Sequence, residues 1–153
     1  MKHKSLKIQQ LDAKIGAIAK NITAFNKPAI GWLKAIRTAI GMSQQQLGNK
    51  LNITRQSVQE IESREKDGSI TLNSLQETAA AMDMQLVYAF IPKDGSLEQL
   101  IERKARQIAT EIVMRTSTSM KLEDQGNSRQ RLKKAIDERT DYIKAEMPKT
   151  LWD

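Results

Sequence analysis

Arg55, Gln56 and Gln59 fall within one short stretch of the chain, and both residue types can make paired hydrogen bonds to the edge of a base pair. Arginine offers two donors to guanine N7 and O6, and glutamine matches adenine N6 and N7, each such contact being worth about 1–3 kcal/mol of discrimination. Little else in the sequence could do chemistry. There is no cysteine, and His3 is the only histidine, so neither a nucleophile–base pair nor a thiolate or imidazole metal site can be assembled. No glycine-rich phosphate loop is present, and the carboxylates lie where helix surfaces place them. The expectation is no enzymatic activity, no cofactor and no metal.

Groups that read bases must be held on a helix that another helix braces, because one lies across the DNA backbone while the other enters the groove by its N-terminus. Residues 43 to 63 have that form. Ser43 and Gln46 spell a capping box for a helix to Leu51, Asn52-Ile53 makes a short turn, and Thr54 caps a second helix whose Val58 and Ile61 point inward as far as about Arg64. Upstream, Leu11, Ile15, Ile18, Ile22 and Phe25 recur at steps of three and four, which predicts a helix from about Lys4 to Phe25. A further helix is expected from about Ala29 to Gly41, with Trp32, Leu33, Ile36 and Ile40 inward.

Downstream, Thr71 caps a helix with Leu72, Leu75, Ala79 and Met82 on its buried face. The β-favouring run from Gln85 to Ile91 then predicts one short strand, closed by Pro92. A lone strand cannot satisfy its backbone, so the same strand of a second copy is the economical partner. Ser96 and Gln99 open a long amphipathic helix to about Thr116. A last helix carries Leu132, Ile136, Arg139 and Ile143, and Trp152 in the tail is expected to fold back on the core. The division expected is 1–28, 29–92 and 93–153.

The net charge of +7 is uneven, with +8 on residues 1–50, −3 on 51–92 and +2 on 93–153. Basicity concentrated in the first third suits a polyanionic partner. No apolar run is long enough to span a bilayer and no signal-peptide pattern opens the chain, which makes the cytoplasm the expected location.

The stretch from Met42 to Gly48 and from Asn52 to Glu62 resembles the Cro/C1-type helix-turn-helix family, the resemblance covering roughly residues 31 to 84. It implies a mainly α fold: a Cro/C1-type helix-turn-helix bundle with one short strand at about 85–91 and helical extensions at both ends. It also implies roles. Arg55, Gln56 and Gln59 take the base-reading face with Glu60 on its flank, while Ser43, Gln44, Arg64, Lys66 and Thr71 meet phosphates. Gly48 stands where the family more often has alanine, a departure that weakens the helix by up to about 1 kcal/mol.

Nearly the full length is similar to the mobile mystery protein A family, through Gly31-Trp32, Asp67 to Leu72, Leu86 to Pro92, Met120 to Gln125 and the closing Leu151-Trp152-Asp153. That resemblance implies an antitoxin-like autorepressor encoded beside a Fic-domain partner. Fic enzymes are restrained by a helix of pattern Ser/Thr-x-x-x-Glu-Gly/Asn, which Ser119 to Glu123 fits, with Asp124 standing where Gly or Asn belongs. The other reading is a plain dimeric repressor of double-stranded DNA with no toxin partner.

Overall fold

Gly31 (φ 86°) and Gly41 (φ 72°) adopt left-handed backbone on either side of the helix Trp32–Ala39, a conformation that costs glycine nothing and other residues about 1–2 kcal/mol. They set where that helix can begin and end. The structure, a computed structural model, describes residues 2–122 and 128–153. In chain order its α-helices are α1 (Lys2–Ala19), α2 (Trp32–Ala39), α3 (Gln44–Leu51), α4 (Arg55–Asp67), α5 (Leu72–Ala81), α6 (Leu97–Leu122) and α7 (Arg129–Glu146), with short 3-10 turns at Ile22–Phe25 and Lys149–Trp152. None is long and apolar enough to cross a membrane, among the described residues.

The chain divides into two units, Ile22–Tyr88 and a second made of Met1–Asn21 with Ala89–Asp153. In the first, α2 to α5 enclose Leu33, Leu47, Val58 and Met82, with Ile36, Leu51, Ile53, Ile61 and Leu75 packed around them. Trp32 and Leu72, both expected inward, are exposed instead. Each is the first residue of its helix. Helical side chains lean toward the N-terminus over the preceding turn, and at a helix start there is no preceding turn to cover. Ile40, at the C-cap of α2, is likewise exposed.

In the second unit α6 packs against α7, and α1 and the C-terminal turn pack against α6, around Ile101, Ala105, Ala109, Ile143 and Leu151. Three expectations need correction. The helix expected to Phe25 ends at Ala19, and its inward face carries Ile8 rather than Leu11. The inward face goes with Asp12, whose carboxylate accepts the Leu97 and Glu98 amides at 2.7 and 3.1 Å and so turns that side of α1 toward the start of α6. Thr140 takes the buried place expected for Arg139, donating to the Ile136 carbonyl at 2.7 Å, while Arg139 lies 5.0 Å over the exposed Tyr142 ring. In the tail it is Leu151 that is buried, and Trp152 stays half-exposed.

Asp12→Ala should cost about 1 kcal/mol, the usual worth of a side chain that satisfies first-turn amides. Thermal unfolding of the full chain would register it as a lowered midpoint. An unchanged midpoint would mean that the Ser96 hydroxyl, which accepts from the Gln99 amide at 3.1 Å, caps α6 unaided.

The strand expected over 85–91 does not form among the described residues, where this run is neither helix nor strand. A ladder needs a second strand to exchange hydrogen bonds with, and none is present among them.

Candidate nucleic-acid interface

Three side-chain caps set the local geometry, and each sits where the sequence places it. The Ser43 hydroxyl accepts from the Gln46 amide at 3.1 Å while the Gln46 side chain accepts from the Ser43 amide at 2.7 Å, a complete capping box at the start of α3. Thr54 accepts from the Ser57 amide at 3.1 Å and Thr71 from the Ser74 amide at 3.2 Å. Asn52 (φ 56°) closes α3 in the left-handed region, so the chain reverses within Asn52-Ile53-Thr54.

That reversal requires close approach. A Cβ on Gly48 would lie 2.7 Å from the Ile53 carbonyl oxygen, nearer than a carbon can sit. Gly48 also accepts the Ile53 amide at 2.9 Å. Its glycine thus permits the turn to fold tightly onto α3, which offsets the helix propensity it forgoes.

The polar groups on α4 fall into two sets. Arg55, Gln56, Gln59 and Glu60 are exposed, and so are Arg64 and Lys66 near its end. Glu62 and Glu65 are buried with Val58. Glu60 spends part of its charge on Arg64, 3.8 Å away and equally exposed, a pairing worth no more than about 0.5 kcal/mol.

Arg37 of α2 meets Glu62 through two bonds, Nε to Oε1 at 2.5 Å and a terminal nitrogen to Oε2 at 3.2 Å, with both side chains more than nine-tenths buried. Its other terminal nitrogen donates to the Met42 carbonyl at 2.8 Å. Gln44, the first residue of α3, donates its amide to Glu62 Oε2 at 3.0 Å and accepts from Arg55 Nε at 3.4 Å. A buried ion pair is thereby linked through one glutamine to the exposed guanidinium at the head of α4.

A cleft of about 470 Å³ opens beside this link, lined by Arg37, Ser43, Gln44, Gln45 and Arg55. A smaller one of about 240 Å³ is lined in part by Lys34, Gln59, Ser63 and Lys66. The structure therefore brings Ser43, Gln44 and Arg55 together, and Gln59 with Lys66. It leaves Thr71 occupied with Ser74, to whose hydroxyl it also donates at 3.0 Å. The Ser43 amide is used within the capping box, so donors toward an anion at this end of α3 come from the following amides and from side chains.

Sequence reasoning missed Arg37 and Lys34. A signal for Arg37 existed: a cation four residues after Leu33 and one after Ile36 sits on the apolar stripe of α2, and a charge there requires a buried counter-ion. It also missed Lys27, whose ammonium donates to the Glu65 and Lys66 carbonyls at 3.0 and 2.7 Å and so satisfies the end of α4. Lys27→Ala should lower stability by about 1 kcal/mol through loss of these charged C-terminal bonds; Lys27→Arg should recover most of it. Denaturant midpoints of the two variants would separate this from an inert surface lysine.

Residues 33–88 match the family model described as helix-turn-helix. No curated protein and no solved structure matches the chain. The matched segment spans α2 to α5 and part of the run beyond, and it supports a DNA-binding transcriptional regulator.

Proposed function

We propose that the protein is a sequence-specific transcriptional repressor that binds double-stranded DNA as a homodimer, with α4 entering the major groove and α3 lying across the backbone. The observation that carries this is the division of α4 into a buried side of Val58, Glu62 and Glu65 and an exposed side of Arg55, Gln56 and Gln59 at its N-terminal end. Such an end is the part of a recognition helix that reaches base edges. Arg55, Gln56 and Gln59 read bases, with Glu60 beside them. Ser43, Gln44, Arg64 and Lys66 meet phosphates, which fix register and carry no sequence information; Thr71, spent on Ser74, does so only if that bond is given up.

Selection of bound duplexes from a random library tests the reading. The expected outcome is a two-fold symmetric site whose half-sites lie about one helical turn apart. Affinity for that site should fall with salt at a slope of about −0.9 per neutralised phosphate. Recovery of no preferred sequence, or affinity that salt leaves unchanged, would overturn it.

The finer reading is that this repressor is the antitoxin of a Fic-type pair. Its support is the resemblance, over nearly the full length, to the mobile mystery protein A family. Ser119 is exposed near the end of α6, its hydroxyl donating to the Arg115 carbonyl at 3.3 Å, while Glu123 lies outside the described residues. Co-expression with the neighbouring reading frame should yield a complex with a Fic-domain protein, and Glu123→Ala should release its toxicity. Absence of a complex would leave the plain dimeric repressor.

A further inference from the structure

From Gln85 to Ile91, among the described residues, no backbone N–H or C=O makes a hydrogen bond to another backbone group. The run is bounded at both ends. Before it, the Met84 amide donates to the Ala79 carbonyl at 2.8 Å; after it, Pro92 has no N–H to give. Seven residues with free donors and acceptors would be ordinary in a polar loop, but these are Gln-Leu-Val-Tyr-Ala-Phe-Ile. Val87 is 64% exposed, Tyr88 61% and Phe90 87%. Large apolar and aromatic side chains concentrated on unpaired backbone mark a surface that another strand covers.

We infer that residues 85–91 of two copies pair as antiparallel strands, with Tyr88 on the two-fold axis. The inference rests on the DNA-binding reading for its use, since a two-fold dimer presents two α4 helices to a symmetric site, but the pairing is carried by this run alone. The free run is seven residues long, so complete pairing with itself sets Gln85 opposite Ile91, Leu86 opposite Phe90, Val87 opposite Ala89 and Tyr88 opposite Tyr88.

Side chains alternate faces along a strand. Leu86, Tyr88 and Phe90 of both copies therefore share one face, where each lies beside an apolar cross-strand neighbour.

Charge selects the same partner. Met84 to Pro92 carries no charged residue, so two chains of net charge +7 can approach there without facing like charges. Just outside, Asp83 and Lys93 flank the run at equal distances from Tyr88. Antiparallel pairing of the run therefore brings an acidic flank of one copy toward a basic flank of the other at both ends.

The test uses full-length protein without DNA. Sedimentation should show a dimer for the native chain. Tyr88→Glu and Tyr88→Lys each place like charges face to face on the axis and should raise the dimer dissociation constant by at least about 100-fold, since juxtaposed like charges cost several kcal/mol. Mixing the two variants in equal amounts should restore the dimer, an outcome that unfolding cannot imitate. Tyr88→Cys, in a chain with no other cysteine, should give a covalent dimer on mild oxidation.

A monomeric native chain, or Glu and Lys variants that dimerise as the native chain does, would overturn the pairing. The two readings fail separately. A chain that dimerises through Tyr88 and selects no DNA sinks the regulator, whereas a monomer that binds its site sinks only the pairing.

Discussion

Glu62→Ala should remove about 3–5 kcal/mol of stability, the cost of leaving a buried charge without its counter-ion. With side chains 8% and 5% exposed, Arg37 and Glu62 have almost no water to fall back on. The Met42 carbonyl, at 2.8 Å, would be the guanidinium's only remaining acceptor of those it now uses. Against a total of about 5–15 kcal/mol for a domain, that loss lowers the melting midpoint by on the order of 20 °C.

The double variant Arg37→Met with Glu62→Leu should recover most of the stability, because apolar groups of similar volume often replace a buried pair at no net cost. It would not recover the hydrogen bond that Glu62 accepts from Gln44. If Gln44 positions Arg55, the double variant should be stable yet weaker in DNA binding. A variant that melts and binds like the native chain would show that the link to Arg55 is incidental.

Arg55→Ala should leave folding intact and cost about 1–3 kcal/mol of discrimination at one base pair of the selected site. Arg55 is exposed, and its one side-chain hydrogen bond among the described residues is the 3.4 Å contact with Gln44, so its truncation should move stability by no more than about 0.5 kcal/mol. The measurement is affinity for the selected duplex against duplexes substituted one base pair at a time. Native protein should lose affinity at a guanine that the variant treats like any other base, while both keep nearly the same salt slope. Equal preferences in native and variant protein would remove Arg55 from the reading face. Arg55→Lys should behave closer to alanine, since an ammonium lacks the planar fork that spans guanine N7 and O6.

Both predictions bear on the same small assembly, whose two halves were unequally readable. Arg55, Gln56 and Gln59 follow from the resemblance to the Cro/C1-type pattern, and all are exposed on one helix. The pair that anchors Gln44 behind them was not anticipated, because Arg37 and Glu62 lie 25 residues apart and nothing local to either one names the other.

The sequence by itself determined three helix starts and two helix ends. Ser43 with Gln46, Thr54 and Thr71 cap their helices across three residues, and Gly41 and Gly68 end α2 and α4 in backbone that glycine adopts freely. These interactions are closed within one turn of chain, so a short window of sequence contains both partners.

Only the tertiary structure decided which faces are buried. Asp12 finds the start of α6 from 85 residues away and turns α1 with it, Lys27 finds the end of α4, and Leu151 rather than Trp152 enters the core. Periodicity marks a stripe about one residue wide in uncertainty, and the contact that chooses between neighbouring positions is made by a distant part of the chain. The run 85–91 goes one step further. Its β-favouring residues are plain in the sequence, but a strand exists only where a second one shares its hydrogen bonds.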